Sequence, residues 1–207
     1  MQGSAVRQRG IGTLARAKPD RPGGGWHPKL PAQMRNVEFK AELRDIAIAR
    51  EICRVMGAER AGKFAQTDTY YRVAAGRLKK RETKGEEVEY IFYDRPNAAT
   101  GKVSQYTLYS QAQALDRFGR EPLPVWVVVK KARELYMLKN TRIHLDKVEY
   151  LGTFLEFEFV VSRGHPVEQG KKTLRSLRKE FQMVLGEAID CSYSDLLAAN
   201  AEGGRPE

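Results

Sequence analysis

Cysteine is almost absent from this sequence, which has two in 207 residues. Cys53 and Cys191 form neither a metal-ligand spacing nor a disulfide framework, so the sequence predicts a reducing, cytoplasmic environment. Cys53 falls in a helical pattern, where a free cysteine is usually a small core residue. Long hydrophobic runs are missing as well, because no stretch approaches the roughly 18 apolar residues of a transmembrane helix. We therefore expect no membrane partner.

The first 33 residues lack a sustained apolar period and carry one acidic side chain against six basic ones. They contain the turn-rich stretch RPGGGWHPKLP and no apolar core of a secretory signal, which predicts a disordered basic leader at 1–33. An organellar transit peptide is the alternative, although Pro and Gly oppose an amphipathic helix there. The remaining length suits one folded domain at 34–200 and a flexible tail at 201–207.

Alternating polar and apolar residues are abundant in the folded domain. In RNVEFKAEL, residues 35–43, the apolar side chains fall on one side, which is the period of a half-buried strand. The other side carries Asn36, Glu38, Lys40 and Glu42. About eight segments of this kind, joined by short connections, predict a mainly antiparallel sheet with few free edges. The predicted fold is α+β, an eight-stranded antiparallel barrel that is closed or nearly closed.

Three amphipathic helices accompany these strands in the pattern. The stretch DIAIAREICRVMG predicts a helix with Asp45 as its N-cap and Gly57 as its terminator. A short helix is predicted at 111–118 and a longer one at 167–185. If the apolar faces of the strands pointed into the barrel, the apolar faces of the helices would have nothing to pack against. We therefore place the helices outside, against the apolar strand faces, and the charged strand faces toward the lumen. The alternative is that the charged faces of the strands point outward into solvent, as in an ordinary sheet with one buried face.

The predicted lumen carries both signs of charge at high density. Its basic candidates are Lys40, Arg77, Lys79, Arg81, Lys131, Arg133 and Arg142, and its acidic candidates are Glu38, Glu42, Asp146, Glu156 and Glu158. Guanidinium and ammonium groups suit a polyanion, and carboxylates suit Mg²⁺ or Mn²⁺. A polyphosphate bridged to carboxylates by a divalent metal would use both sets, as in phosphoryl or nucleotidyl transfer. His144 shares this face, as a general base or as a structural histidine.

At these residues the sequence resembles the CYTH superfamily of triphosphate tunnel metalloenzymes, which includes class IV adenylate cyclases, thiamine triphosphatases and inorganic triphosphatases. The family's opening Glu-x-Glu-x-Lys motif is matched by Asn36-x-Glu38-x-Lys40. The later motifs are matched by Lys79 and Arg81, by Lys131 and Arg133, by Arg142 and Asp146 in RIHLD, and by Glu156 and Glu158 in FLEFE. The resemblance runs from about Asn36 to Leu197. The segments QTDTYYRV, IFYDRP, VSQY and SYSDLL look most like the class IV cyclase branch.

The resemblance implies a triphosphate substrate, namely ATP, tripolyphosphate or thiamine triphosphate. It assigns the triphosphate to Lys40, Lys79, Arg81, Lys131, Arg133 and Arg142, the metal to Glu38, Asp146, Glu156 and Glu158, and catalysis to Lys40, Lys131, Arg133 and Asp146. Asp146 could instead orient Arg142, and Arg95 and Lys102 are weaker candidates for base or phosphate contacts. Asn36 departs from the family pattern, since its amide oxygen can coordinate a metal but brings no negative charge and cannot act as a base.

Three functions remain open at this point. The leading hypothesis is metal-dependent conversion of ATP to cyclic AMP and pyrophosphate, and the second is hydrolysis of an inorganic or organic triphosphate at the same site. Both rely on charge neutralisation, so the lumen charges do not separate them. The third is a non-enzymatic module that binds polyphosphate or RNA through the basic surface and leader. Nucleic acid is not the expected partner, and the oligomeric state, a homodimer included, stays open.

Overall fold

The computed structural model describes residues 32–93 and 102–203. The predicted leader up to residue 31, the candidate Arg95 and the last four residues of the predicted tail lie outside this description. The helices are α1 Ile46–Val55, α2 Gln111–Phe118, α3 Val167–Glu180 and α4 Tyr193–Gly203. The strands are β1 Ala32–Leu43, β2 Glu59–Tyr71, β3 Arg77–Thr83, β4 Glu89–Tyr93, β5 Lys102–Tyr109, β6 Val125–Leu138, β7 Thr141–Val148, β8 Gly152–Val160 and β9 Leu185–Ala188.

Eight of these strands close into an antiparallel barrel. Their hydrogen-bonded order is β5-β4-β3-β2-β6-β7-β8-β1, and β1 pairs back with β5 from Ala32 opposite Leu108 to Glu38 opposite Lys102. Closure satisfies the backbone groups that an open sheet would leave at its edges. The predicted α+β fold with a closed eight-stranded barrel is therefore confirmed. The short strand β9, which the alternation pattern did not predict, pairs with the end of β1.

The first helix begins and ends where the sequence predicts. The Asp45 carboxylate accepts hydrogen bonds from the backbone amides of Ala47 and Ile48 at 2.8 and 2.9 Å, and Gly57 follows the helix with a φ of +71°. Cys53 is fully buried in the apolar core beneath this helix, as predicted. Burial raises the pKa of its thiol to about 12, which is typical of an unreactive structural cysteine.

The apolar core lies between the barrel wall and the helices. Val37, Phe157 and Phe159 point outward from β1 and β8, where Leu174 and Leu177 of α3 join the same buried cluster. Helix α3 ends at Glu180, five residues before the predicted end, because the chain there turns to place β9 beside β1. The charged side chains of these strands consequently face the lumen. In the described part of the chain, no helix is both long and apolar enough to span a membrane.

A close contact between α3 and the barrel predicts the effect of one substitution. A Cβ atom at Gly170 would lie 2.7 Å from Phe159 Cδ1 and 2.8 Å from Val37 Cγ2. We expect Gly170→Ala to lower the free energy of unfolding by about 1–3 kcal/mol through overpacking, although alanine favours a helix by about 1 kcal/mol over glycine. Urea unfolding measures this difference. The exposed Ser176→Ala on the same helix is the control, and an unchanged midpoint for Gly170→Ala would show that α3 does not approach the barrel this closely.

Candidate functional site

A cluster of three cations around one carboxylate lines one side of the lumen. We call Asp68, Lys79, Arg81 and Lys131 the Asp68 cluster. The Asp68 carboxylate accepts from Lys79 Nζ at 3.1 Å and from Lys131 Nζ at 2.7 Å. Arg81, directly opposite Asp68 across the β2–β3 pair, donates two further hydrogen bonds of 2.7 and 2.8 Å. Burial opposes ionisation of Asp68, but the three cations together hold its pKa well below the usual value.

The Asp68 cluster carries more positive charge than one carboxylate can neutralise. Lys131 is buried and shares Asp68 with two other cations. Burial, together with repulsion from Arg81, Arg133 and Lys79, lowers the pKa of Lys131 to about 7 despite its contact with Asp68. The cluster is thus short of negative charge, and a polyanion would supply it.

This lowered pKa predicts that polyphosphate binding takes up a proton. Near pH 8 Lys131 is mostly uncharged, and phosphate oxygens beside it would restore the ammonium form. Calorimetric titration of tripolyphosphate at pH 8, in buffers of different ionisation enthalpy, should show uptake of about one proton that Lys131→Met abolishes. The free protein should also gain stability as the pH rises from about 7 toward 10.5, because the unfolded chain binds more protons in that window. Identical proton uptake in the variant would contradict this assignment.

A second arginine–carboxylate pair lies deeper in the lumen. Arg133 on β6 is directly opposite Asp146 on β7 and donates two hydrogen bonds to its carboxylate, at 2.7 and 2.6 Å. The same guanidinium lies 2.9 Å from Glu156, and Asp146 also accepts from the Tyr193 hydroxyl at 2.9 Å. This geometry makes Asp146 a partner that orients Arg133, whereas Arg142 pairs with Glu158 at 3.3 Å. A metal ion would thus have to share the Asp146 carboxylate, a predicted metal ligand, with Arg133.

A candidate metal site is formed by His144, Glu156 and Glu158, which we call the metal group. One ligand atom from each residue lies within 4.8 Å of the others. His144 is buried, with Nδ1 3.3 Å from Glu156 and Nε2 3.9 Å from Glu158. Burial opposes ionisation of Glu156, but Lys40, His144 and Arg133 hold its pKa well below the usual value, so it is charged. An imidazole and two carboxylates are a donor set that divalent ions accept.

Asn36 lies on the same inner face as this group and supports the fit to a metal. It is fully buried, its Nδ2 donates to Tyr106 at 3.2 Å, and within the described residues its Oδ1 has no hydrogen-bond partner. A buried oxygen without a partner is an acceptor for a water molecule or a ligand. Glu38, the next inward residue, is opposite Glu158 in register. Glu42 does not join them, because it is exposed near the end of β1.

One end of the tunnel is closed by the segment that leads into α4. The Tyr193 side chain enters the barrel and packs among Tyr70, Val129, Val148 and Phe154. Lys40 Nζ lies 4.4 Å from the centre of the Tyr193 ring and donates to the Cys191 carbonyl at 3.3 Å. The SYSDLL segment had a family resemblance but no assigned role, so the sequence did not predict this closure.

Asp68 was likewise not predicted as a site residue. The sequence did contain a pattern that could have identified it, because alternation places Asp68 on the same strand face as Gln66 and Tyr70 in QTDTYY. Its three partners, however, come from β3 and β6, so only the register of the sheet reveals its role. The predicted substrate residues Lys79, Arg81 and Lys131 do meet around it, while Lys40, Arg133 and Arg142 lie beside the metal group.

A cavity of about 860 Å³ lies against β2, β3, β6 and the β7–β8 turn, and we call it the outer groove. Ala65, Thr67, Lys130 and Ala132 in its lining alternate with the lumen residues of the same strands, so they belong to the outer face. The lumen residues Lys131 and Val148 also contribute to this lining, so the outer groove borders the barrel wall beside the Asp68 cluster.

Comparison with known proteins identifies the family of this chain. A family model described as the CYTH domain matches residues 34–187. The chain belongs to the CYTH family. CYTH enzymes act on triphosphate substrates and depend on a divalent metal. No curated protein sequence matches this chain significantly.

Solved structures with low sequence identity share the CYTH fold seen here. The PH1012 protein of Pyrococcus horikoshii OT3 superimposes with a TM-score of 0.63 at 22% identity, covering 78% of this chain and 98% of its own. A candidate adenylate cyclase from Vibrio parahaemolyticus gives 0.62 at 19% identity, with 80% and 98% covered. A Hippeastrum protein, described as an adenylyl cyclase candidate with a dominant triphosphatase activity, gives 0.54 at 14% identity, with 81% and 96% covered. At these identities the likeness shows the fold alone.

Proposed function

We propose that this CYTH protein is a divalent-metal-dependent enzyme that acts on a triphosphate substrate. The observation that carries the proposal is the joint presence of the Asp68 cluster and the metal group in one lumen. Arg133 connects them, since its guanidinium contacts Glu156 and its charge repels Lys131. A triphosphate would supply the negative charge that the Asp68 cluster lacks, and its oxygens would reach toward the carboxylates through a divalent ion.

The Asp68 cluster, Arg133 and the metal group would have different roles in such a reaction. Lys79, Arg81 and Lys131 would bind phosphate oxygens, and Arg133, held by Asp146, would fix their orientation. A divalent ion held by His144, Glu156 and Glu158 would neutralise charge that develops on the phosphates. Lys131 would bind the phosphate in its ammonium form, because the phosphate oxygens offset the repulsion from neighbouring cations that lowers its pKa in the free protein.

Cyclisation is the first reaction to test. The ribose 3′-hydroxyl of ATP would attack the α-phosphorus in line, giving cyclic AMP and pyrophosphate, and the hydroxyl proton would pass to water or to a phosphate oxygen of the leaving pyrophosphate. The class IV-like segments QTDTYYRV and SYSDLL support this assignment, as does the shared fold with the Vibrio protein.

Hydrolysis of the terminal phosphate is the second candidate. Asn36 supports it in one respect, because its buried Oδ1, which has no hydrogen-bond partner within the described residues, can accept a hydrogen bond from a water molecule. The activity described for the Hippeastrum protein points the same way. The substrates to test for hydrolysis by the present protein are tripolyphosphate and thiamine triphosphate.

A product assay separates these reactions. Purified protein is incubated with ATP, tripolyphosphate or thiamine triphosphate and Mg²⁺ or Mn²⁺, and the products are identified by phosphorus NMR and chromatography. Cyclic AMP with pyrophosphate supports cyclisation, and orthophosphate without cyclic AMP supports hydrolysis. Metal-independent binding without any turnover would overturn both in favour of a binding module, with affinity that falls steeply with salt.

A further inference from the structure

We propose that Tyr193 makes the tunnel single-ended, so that the site accepts the free terminal phosphate of a chain and rejects phosphate chains that are esterified at both ends. The inference rests on the proposed function and adds a specificity determinant to it. Three observations carry it: an apolar stopper at one end, cations directly against that stopper, and an anchor that holds the stopper in place.

The stopper is the apolar cluster that Tyr193 forms inside the barrel with Tyr70, Val129, Val148 and Phe154. Val129 and Val148 are inward-facing residues of β6 and β7, with exposures of 0% and 2%, and Phe154 of β8 has 3%. The Tyr193 ring lies 5.0 Å from the Phe154 ring and shares this cluster, and Leu196 and Leu197 of α4 pack against it. Along β8 the inward residues therefore run from this stopper at Phe154 to Glu156 and then Glu158.

The cations nearest to the stopper are predicted phosphate ligands. The ring centre of Tyr193 lies 4.4 Å from Lys40 Nζ and 5.9 Å from Lys131 Nζ, and its hydroxyl donates to Asp146. A phosphate held by Lys40 and Lys131 would have the Tyr193 ring directly behind it. The closed end leaves no place there for a further ester group on that phosphate.

The segment around Tyr193 is anchored by polar contacts. Arg77 of β3 donates to the Asp195 carboxylate at 2.7 Å and to the Ser192 hydroxyl at 3.0 Å. Asp195 also accepts from the Ser192 backbone amide at 2.9 Å. These contacts use Arg77, a predicted lumen cation, to hold the stopper instead of a phosphate. Because the anchor is half-buried and charge-assisted, the ring position is fixed before a substrate arrives.

Three ligands with the same phosphate count test the inference. Tripolyphosphate has two free ends, ATP has one, and P1,P3-di(adenosine) triphosphate has none. An eight-stranded barrel has room for side chains or one small ligand, so we expect the wild type to bind the end-capped compound at least about 100-fold more weakly than ATP, which corresponds to about 2.7 kcal/mol. Titration calorimetry in metal-free buffer gives the three affinities without turnover, because the proposed reaction requires a divalent metal whereas the Asp68 cluster can bind phosphate directly.

Variants of Tyr193 separate steric closure from the charge difference between these ligands. Tyr193→Phe keeps the ring, so the ratio of the affinity for ATP to the affinity for the end-capped compound should stay as in the wild type. In Tyr193→Gly this ratio should fall to about tenfold or less. Tyr150→Gly, at a tyrosine that is 90% exposed, is the control for loss of an aromatic side chain. Circular dichroism checks that each variant is folded.

The outcomes distinguish this inference from the proposed function. Equal wild-type affinity for ATP and the end-capped compound would overturn the single-ended tunnel, whether or not the Tyr193→Gly variant folds. A folded Tyr193→Gly variant with an unchanged ratio would overturn the role of Tyr193. Absence of any tripolyphosphate or ATP binding would instead overturn the proposed function itself.

Discussion

Changing Glu156 and Glu158 together to glutamine is expected to reduce triphosphate turnover by at least about 1,000-fold, because the metal group would lose both carboxylates and keep only His144. Glutamine preserves the volume of each side chain, so the lumen remains filled. Turnover is measured with Mn²⁺ at saturating substrate, and Mn²⁺ affinity is measured separately by electron paramagnetic resonance.

A second measurement on this double variant separates loss of metal from loss of structure. In the absence of metal, tripolyphosphate should bind the variant as tightly as the wild type or more tightly, because two carboxylates that repel phosphate have been neutralised. A collapsed tunnel would instead bind it less well. Glu168→Gln with Glu180→Gln, at exposed positions of α3, is the matched control. An unchanged rate in the Glu156 and Glu158 variant would show that catalysis does not use this metal group.

Replacing Asp68 by asparagine is expected to cost about 3–5 kcal/mol of folding stability, since it leaves Lys79, Arg81 and Lys131 buried without a counter-ion. Guanidinium or urea unfolding measures the loss. Asp116→Asn, at an exposed position of α2, should change stability by less than about 0.5 kcal/mol.

The same substitution should make the protein more dependent on its ligand. Tripolyphosphate carries the negative charge that Asp68 supplied, so it should raise the melting temperature of Asp68→Asn more than that of the wild type at equal saturation. Similar stability of Asp68→Asn and the wild type would contradict the account of the cluster. A smaller ligand-induced shift in the variant would show that the phosphate binds elsewhere.

The faces of the strands could be predicted from the sequence because alternation is local. Glu38 and Lys40 on β1, and Glu156 and Glu158 on β8, fall on inner faces as their spacing requires. The position of the helices followed from the same reasoning, since apolar stripes such as that of α3 need an apolar wall. The helical period in DIAIAREICRVMG likewise identified the N-cap at Asp45, whose side chain interacts within its own turn.

The pairing of charges could not be predicted, because it depends on strand register. Arg133 meets Asp146 since the β6–β7 hairpin places them directly opposite each other, so a predicted metal ligand also has an arginine partner. Asp68 gathers cations from two other strands for the same reason. Tyr193 lies 47 residues beyond Asp146 in the chain, and no local pattern links them. The predicted residues were mostly in the lumen, but their partners were set by the tertiary structure.

A crystal structure with Mn²⁺ and a non-hydrolysable ATP analogue, from data collected at the manganese absorption edge, locates the metal and the phosphate groups in one experiment. We expect an anomalous peak coordinated by Glu156 and Glu158 and within reach of His144. We also expect phosphate oxygens against Lys79, Arg81 and Lys131, with the terminal phosphate beside Tyr193. Manganese bound away from the metal group, or an analogue bound in the outer groove with the tunnel side chains still paired to one another, would contradict the proposed metal and triphosphate sites.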